Sequence, residues 1–450
     1  MAIRQIEPSI LQQIPKPLLE GAVQIVRTLS EAGHRGLFAG GVVRDLLLGN
    51  RVSDIDIATS AVPADIERLF PRTIAVGKQF GVMIVVIDSN NYEVATFRTE
   101  GGYMDGRHPS SVRFTGAEED ARRRDFTVNA LFLDPIAGVI IDYAGGIADL
   151  DRRVIRTVGS PADRLDEDKL RVLRAVRFAC QLGFQIEART YDEVKRQAGN
   201  LLRVSWERIR DELLKILSGP APARGLDLLS DSGILDVILP EVAAMRGVPQ
   251  PPEFHPEGDV FVHTRLMFEK GAPVSDPNLA LAVLLHDVGK PPTYTVRERI
   301  RFDGHDQKGA EMAEIICRRL RLPGNDIEEV TELVREHLRF IPVHQMREST
   351  LKRFLRKENI QKHLELHRLD CLASHGELTS YNFCLEKLEE FSREAMRPEP
   401  LINGHDLIAM GLAPGPLFSE MLAEIEDQQL EGKITTRDEA LAWIRSRYLS

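Results

Sequence analysis

Two carboxylates, Asp54 and Asp56, stand two residues apart in "VSDIDIAT", downstream of a Gly40–Gly41 pair and Arg44. The alternating pattern reads as a strand over residues 54–58, and residues two apart on a strand face the same side. Side by side and unpaired, such like charges repel and raise each other's pKa. A divalent cation removes that conflict, and Mg²⁺ accepts a few carboxylates together with substrate phosphates. The glycine pair lets backbone N–H groups approach a phosphate, with a helix start expected immediately behind it. Arg44 falls one turn inside that helix. Together these residues make a site for a nucleoside triphosphate and its metal ions, built on neither a GxGxxG turn nor a Walker loop.

Two further clusters carry charge in patterned spacing. "RRRDFTVNA" sets Arg124 and its neighbours beside Asp125 and Asn129. In "DEDKLRVLRAVRFACQLGF", Asp168, Arg171 and Arg174 recur at three-residue steps, and Arg177 continues the row. On a helix over 168–182, ended by Gly183, these side chains share one face while Leu170, Leu173 and Val176 pack beneath. A separate constellation follows later: His263, the adjacent His286 and Asp287, His305, His337 and Asp370. "LLHDVGKPP" puts His286 and Asp287 at the end of an apolar helix, with Lys290 near. Imidazoles mixed with carboxylates suit a transition metal better than Mg²⁺. His34, His344, His363, His367 and His375 read as packing residues.

The elements that must position these groups change character along the chain. Up to about residue 145 the pattern is α/β, with strands expected at 36–39, 54–58, 82–88, 93–98 and 139–142 and helices at 42–48 and 64–70. From about residue 165 the apolar period becomes helical. The Pro-rich "GVPQPPEFHPEG" marks a linker or docking loop, and a small helical tail follows "RPEPLINGHD". At 450 residues the chain exceeds one ordinary domain. Its 43% apolar and 28% charged residues are those of a globular protein. It has no apolar run long enough to span a membrane and no apolar N-terminal signal segment. The four scattered cysteines, without CxxC spacing, read as reduced thiols of a cytoplasmic protein. The net charge of −10 excludes a generally basic nucleic-acid binder but not one with local basic surfaces. Nothing in the sequence specifies an oligomeric state.

Four motifs occur in order: Gly-Gly-x-Val-Arg-Asp, Asp-x-Asp, Arg-Arg-Asp-Phe-Thr-x-Asn and Glu-Asp-x-x-Arg-x-x-Arg-Ala-x-Arg-Phe. In this the chain resembles bacterial tRNA nucleotidyltransferases of the CCA-adding and poly(A) polymerase family, class II, over residues 36–240 and again in "INGHDLIAMGLAPGPLF". The resemblance implies an α+β fold: a nucleotidyltransferase head with a mixed sheet and helices, like a polymerase-beta palm (residues 1–150), a helical neck (151–245), an HD phosphohydrolase-like body (246–378) and a helical tail (379–450). It implies that Asp54 and Asp56 hold Mg²⁺, with Glu93 as a third carboxylate. Gly40, Gly41 and Arg44 would contact triphosphate, and Arg124, Asp125 and Asn129 would position ribose and phosphates, with Arg174 and Arg177 beside them. Asp168 and Arg171 would read the base. Cytosine and adenine each offer an exocyclic amine beside an unprotonated ring nitrogen, which a carboxylate and an arginine can match. Uracil and guanine reverse the pattern. The implied partners are tRNA, CTP and ATP, and no membrane.

Residues 103–114 resemble a loop of enzymes that complete the terminal A. "VGKQFGV" resembles a string of bacterial poly(A) polymerases, but Gln79 replaces its second basic residue. CCA addition is therefore favoured over A-only addition and poly(A) synthesis. The histidine constellation resembles the HD phosphohydrolase superfamily. By that likeness His263, His286, Asp287 and Asp370 bind one metal and His305 and His337 support a second, giving a phosphohydrolase activity. The reading from another class is an HD phosphohydrolase whose N-terminal half only binds RNA.

Overall fold

Leu18, Ala22, Ile25, Val26 and Leu29 recur at helical spacing, and they form the buried face of the helix Lys16–Glu31. That face lies on the sheet strands Gly36–Ala39, Asp56–Thr59 and Asn90–Thr96. The structure, a computed structural model, describes the chain except residues 104–108, 254, 272, 392–395 and 450. It divides into two units, Met1–Ala243 and Ala244–Ser450.

The first unit is built on an eight-stranded mixed sheet. Its spatial order is Ala2–Gln5, Val139–Asp142, Leu131–Asp134, Gly36–Ala39, Asp56–Thr59, Asn90–Thr96, Val82–Ile87 and Thr73–Gly77. Within this sheet only Asp56–Thr59 and Asn90–Thr96 pair in parallel. The central strand Gly36–Ala39 is buried throughout, so it reads as a continuous apolar run. A core of Leu37, Ala39, Ala58, Phe97, Phe132 and Ile141 covers one side. The expected strands 36–39 and 139–142 form with those bounds, and 82–88 and 93–98 form with shifted ends. The edge strands Ala2–Gln5 and Thr73–Gly77 were not expected, because they are largely exposed and show no apolar alternation. The segment 103–114 contributes to a separate hairpin, Arg98–Tyr103 with Pro109–Phe114. Residues 104–108 of it lie outside the described residues.

Two local expectations need correction. Asp54 is not on a strand: the strand begins at Asp56. On one side the neighbouring strand pairs Phe38 with Ile57 and then turns away at Gly40, where φ is +69°, and on the other side the parallel pairing with Asn90–Thr96 starts only at Asp56 and Glu93. Nor does one helix carry Asp168 and the arginines together. A helix Pro161–Glu167 ends at Asp168, which is extended, and a second helix starts at Arg171. The Asp168 carboxylate accepts the Leu170 N–H at 3.0 Å, a local bond that competes with helix continuation.

The second unit is helical, with Val260–Lys270 packed on Ile360–Ala373 and Pro277–Leu285 on Gly324–Glu336. A short hairpin, Thr295–Val296 with Ile300–Arg301, stands at its edge. Capping boxes at Asn403 and Thr436 start the tail helices Gly404–Ala409 and Arg437–Tyr448. No described helix is long and apolar enough to cross a membrane.

One contact of the first unit bears directly on the site. The 3₁₀ turn Thr127–Asn129 is braced by the helix Gly146–Arg152, whose first backbone N–H groups are held by the buried Asp142 carboxylate. A Cβ at Gly146 would lie 2.1 Å from the Thr127 carbonyl oxygen. Gly146→Ala must therefore push this turn away from the helix, and overpacking of this kind costs about 1–3 kcal/mol. Urea unfolding followed by circular dichroism should show an earlier transition for the variant. An unchanged midpoint would mean that the turn is not held by this contact.

Candidate active site

A cleft of about 640 Å³ opens in the first unit where the glycine turn, the strand carrying Asp56 and the helix Arg171–Leu182 converge. All the residues singled out from the first three sequence clusters line it: Gly40, Gly41, Arg44, Asp54, Asp56, Glu93, Arg124, Asp125, Asn129, Asp168, Arg171, Arg174 and Arg177. Seven arginines face five carboxylates there, so a chain of net charge −10 still presents a cationic cleft.

The acidic wall comes from strand register. Asp56 and Glu93 are direct neighbours across the parallel pair, which puts their carboxylates side by side. Asp54 reaches the same wall from the preceding loop. Although water reaches Asp56, the cleft walls and then Glu93 and Asp54 push its carboxyl up to about 6, against a smaller pull from Arg124. That conflict between carboxylates is the state a divalent cation relieves. Their oxygens do not close into a three-carboxylate cage within 4.8 Å. They fit an ion that takes its other ligands from phosphate and water.

The opposite wall is cationic and firmly held. Asp125 accepts from the Phe126 N–H at 2.7 Å, Asn129 Nδ2 at 3.1 Å and Arg174 Nε at 2.9 Å. Burial pushes the Asp125 carboxyl up, but Arg174 and then Arg171 outweigh it and hold it well below the usual range. Asn129 in turn accepts from Arg44 Nη1 at 2.6 Å, and Asp45 takes the other side of that guanidinium. Arg124 is tied to Asp120 and to the Asn129 carbonyl, and a Cβ at Gly40 would lie 2.8 Å from its Nη1. Arg171 donates to the Arg164 and Arg123 carbonyls at 2.8 and 3.0 Å and to Glu167 at 2.7 Å. Asp168 does not pair with Arg171. Its second oxygen accepts from Arg208 at 2.8 Å. Arg177 is held by Glu212 at 2.6 Å and lies over the Phe178 ring at 4.0 Å.

The second unit gathers the histidine constellation. His286, His305 and His337 each turn Nδ1 to a backbone carbonyl, of Val283, Phe302 and Val334. Their Nε2 atoms then point at Asp287, at 3.1, 3.5 and 3.8 Å. None of these buried Nε2 atoms makes a hydrogen bond. On the other side, His263 lies between Glu257 at 2.7 Å and Asp370 at 3.1 Å. Two groups could each hold an ion and share Asp287: His263–His286–Asp287 and Asp287–His305–His337. Burial and then His286 depress His337 to about 4, leaving it a neutral lone-pair donor. Burial also depresses His263, but Asp370 and Glu257 outweigh it and raise it to about 9. These orphaned nitrogens around one carboxylate fit a divalent transition metal.

Sequence reasoning missed several partners. Asp120 precedes Arg123 and Arg124 by one helical turn, a readable signal. Arg208 and Glu212 stand one turn apart on the helix Trp206–Leu217, which meets the arginine row only through folding. His255 and Glu257 sit in the Pro-rich segment read as a linker, and the Glu257 carboxylate joins His255 to His263. His367, read as a packing residue, stacks on Phe340 and also lines the cavity beside Asp287, as does His375.

Comparison with known proteins agrees with this division. Residues 37–156 match the profile of the poly A polymerase head domain, and 183–246 one described as a probable RNA and SrmB-binding site of polymerase A. Residues 260–370 match the HD domain. Together they define a nucleotidyltransferase head followed by an RNA-binding region and an HD domain.

A CCA-adding enzyme of Lactobacillus johnsonii is 31% identical over 423 residues, 93% of this chain and 95% of its own. One of Geobacillus kaustophilus is 47% identical over 230 residues, 51% of this chain, but the chain spans only 56% of that relative's length. The crystal structure of Bacillus stearothermophilus CCA-adding enzyme in complex with CTP superposes with TM-score 0.73 at 31% identity, covering 96% of this chain and 98% of that one. The chain belongs to the CCA-adding enzyme family.

The crowding of Asp56 yields a measurable consequence. Its folded pKa lies above its unfolded value, so the ionised carboxylate opposes folding at neutral pH, and the penalty disappears as pH falls through 6 toward 4. In metal-free protein, the ¹³C carboxyl signal that is lost in Asp56→Asn should titrate near 6. In Glu93→Gln the midpoint should drop while staying above the model-compound value of 3.8, because burial remains. A midpoint unmoved by Glu93→Gln would separate the two carboxylates.

Proposed function

We propose that this protein completes tRNA 3′ ends, adding C, C and A from CTP and ATP without a nucleic-acid template. The observation that carries the reading is the single cleft in which a crowded acidic wall faces held arginines. Residues 1–150 act as the catalytic head and 151–245 as the neck that completes the nucleotide site. Residues 246–378 form the HD domain and 379–450 the tail. With tRNA as substrate, the protein works in the cytoplasm.

Asp54 and Asp56, with Glu93 beside them, would hold Mg²⁺, which would supply neutralisation of the charge on the triphosphate and the pyrophosphate leaving group. Gly40 and Gly41 bring the backbone close to phosphate, and Arg44 fixes that turn through Asn129. Arg124, Asp125, Asn129, Arg174 and Arg177 hold ribose and phosphates. The 3′-hydroxyl oxygen of tRNA bonds to the α-phosphorus as the bond to pyrophosphate breaks, and the hydroxyl proton is released to water.

Asp168 and Arg171 select the base. Arg208 holds the first and three backbone or carboxylate acceptors hold the second, so both present fixed edges. Such edges match cytosine and adenine, whereas uracil and guanine leave polar groups facing like partners. Removing either contact costs the correct nucleotide roughly 1.5–3 kcal/mol. In single-turnover assays on tRNA lacking its 3′ end, Asp168→Ala and Arg171→Ala should therefore lower the preference for CTP and ATP over UTP at least tenfold, with Mg²⁺ dependence unchanged. Asp56→Ala should abolish addition altogether. An unchanged nucleotide ranking would mean that the base is read elsewhere, and product length separates CCA from A-only or poly(A) output.

The imidazole cluster favours a second activity, metal-dependent phosphoester hydrolysis in the HD domain. His263, His286, Asp287 and Asp370 hold one divalent transition metal, and His305 and His337 support a second. His286→Ala with Asp287→Ala should remove hydrolysis and lower Ni²⁺ affinity at least tenfold by calorimetry, leaving nucleotide addition near normal. Collapse of addition in a folded double variant would make the HD domain part of the polymerase machinery.

A further inference from the structure

The cavity beside Asp287 has a volume of about 710 Å³, enough for a nucleotide-sized ligand. Its lining includes the metal-type residues Asp287, His305 and His337 and, from the hairpin, Arg299 and Arg301. Arg299 lies in the bend of the hairpin and Arg301 on its second strand, and both arginines line the cavity.

The cations of this cavity are not equivalent. Lys290 is already used, donating to Asp287 at 2.7 Å and to Gln250 at 2.6 Å. Arg301 has no such partner. Its Nε is buried, makes no hydrogen bond, and the side chain has no ion-pair partner among the described residues. A buried N–H left unpaired is costly, so its natural complement is a ligand acceptor. A guanidinium offers a planar fork that matches two oxygens of one phosphate. Ile300, Phe302, Leu338 and Ile341 line the same space and suit an uncharged organic group.

We propose that Arg301, flanked by Arg299, is the phosphate clamp of the second cavity and selects phosphomonoesters of nucleoside size. The guanidinium takes two non-bridging oxygens, the apolar residues take the nucleoside, and the phosphate is turned toward the Asp287 cluster. This inference rests on the HD-domain reading above for its metal wall, but the clamp contact itself is between protein and phosphate.

The test uses the full chain, with Arg301→Gln and Arg301→Lys, and three titrations by calorimetry: Ni²⁺, adenosine 3′-monophosphate and adenosine. Any nucleotide bound in the first cleft is common to all the proteins and subtracts. Arg301→Gln should weaken adenosine 3′-monophosphate at least tenfold, leave Ni²⁺ affinity within twofold and leave adenosine unchanged. Arg301→Lys should recover part of the loss, since it keeps the charge but not the fork. Equal affinity of wild type and Arg301→Gln for the monophosphate would overturn the clamp. Failure of the HD reading has a different signature: His286→Ala with Asp287→Ala would bind Ni²⁺ as wild type does. Metal-free protein then decides the clamp by the same comparison, upheld by a loss in Arg301→Gln and overturned by none. Thermal melting matched to wild type shows that the variants are folded.

Discussion

The first unit depends on one buried carboxylate. Asp125 ties the arginine helix Arg171–Leu182 to the sheet through Arg174, and it orients Asn129, which orients Arg44. A charge taken out of water is expensive unless every lone pair finds a donor, and here backbone, amide and guanidinium all supply one. The network links three elements distant in sequence, the glycine turn, the 3₁₀ turn and the helix Arg171–Leu182. It explains why the arginines keep fixed positions in a solvated cleft. Phe178, under Arg44, Arg174 and Arg177, adds an aromatic face that holds the same guanidinium groups in place.

The two sites solve the problem of clustered charge in opposite ways. In the first, carboxylates crowd on one wall and are left unmatched, so that Asp56 is pushed up to about 6 while the arginines stand opposite. Hard cations and phosphates complete such an arrangement. In the second, one carboxylate sits among imidazoles whose other nitrogens are fixed by backbone carbonyls. Fixing Nδ1 decides the tautomer and leaves Nε2 as the free donor, which is what a softer metal requires.

Much of this was legible in the sequence because chemistry-bearing residues came in short local strings. The glycine pair with Arg44, the pair Asp54 and Asp56, and the run from Arg124 to Asn129 each span only a few residues, so short spacing alone placed them together. The six metal-type residues of the second unit were also readable, as was the change from strand to helical periodicity. Two local readings failed where a side chain or a turn overrode periodicity. Asp168 capped its own backbone and broke the expected helix, and the strand pairing ends at Asp56, with the neighbour on one side turning away at Gly40.

What the sequence by itself determined was the set of charged and metal-type residues that gather in the two cavities and the fold class, since both follow from residue type and local period. Tertiary structure alone decided which groups face one another. Glu93 meets Asp56 because two strands pair in parallel, Arg208 takes Asp168 because the helices Trp206–Leu217 and Arg171–Leu182 pack, and Glu257 reaches His263 because the Pro-rich segment folds back. None of these contacts has a period to read. They arise from long-range packing, which fixes distance and burial, and with them the charge state of each carboxylate and imidazole.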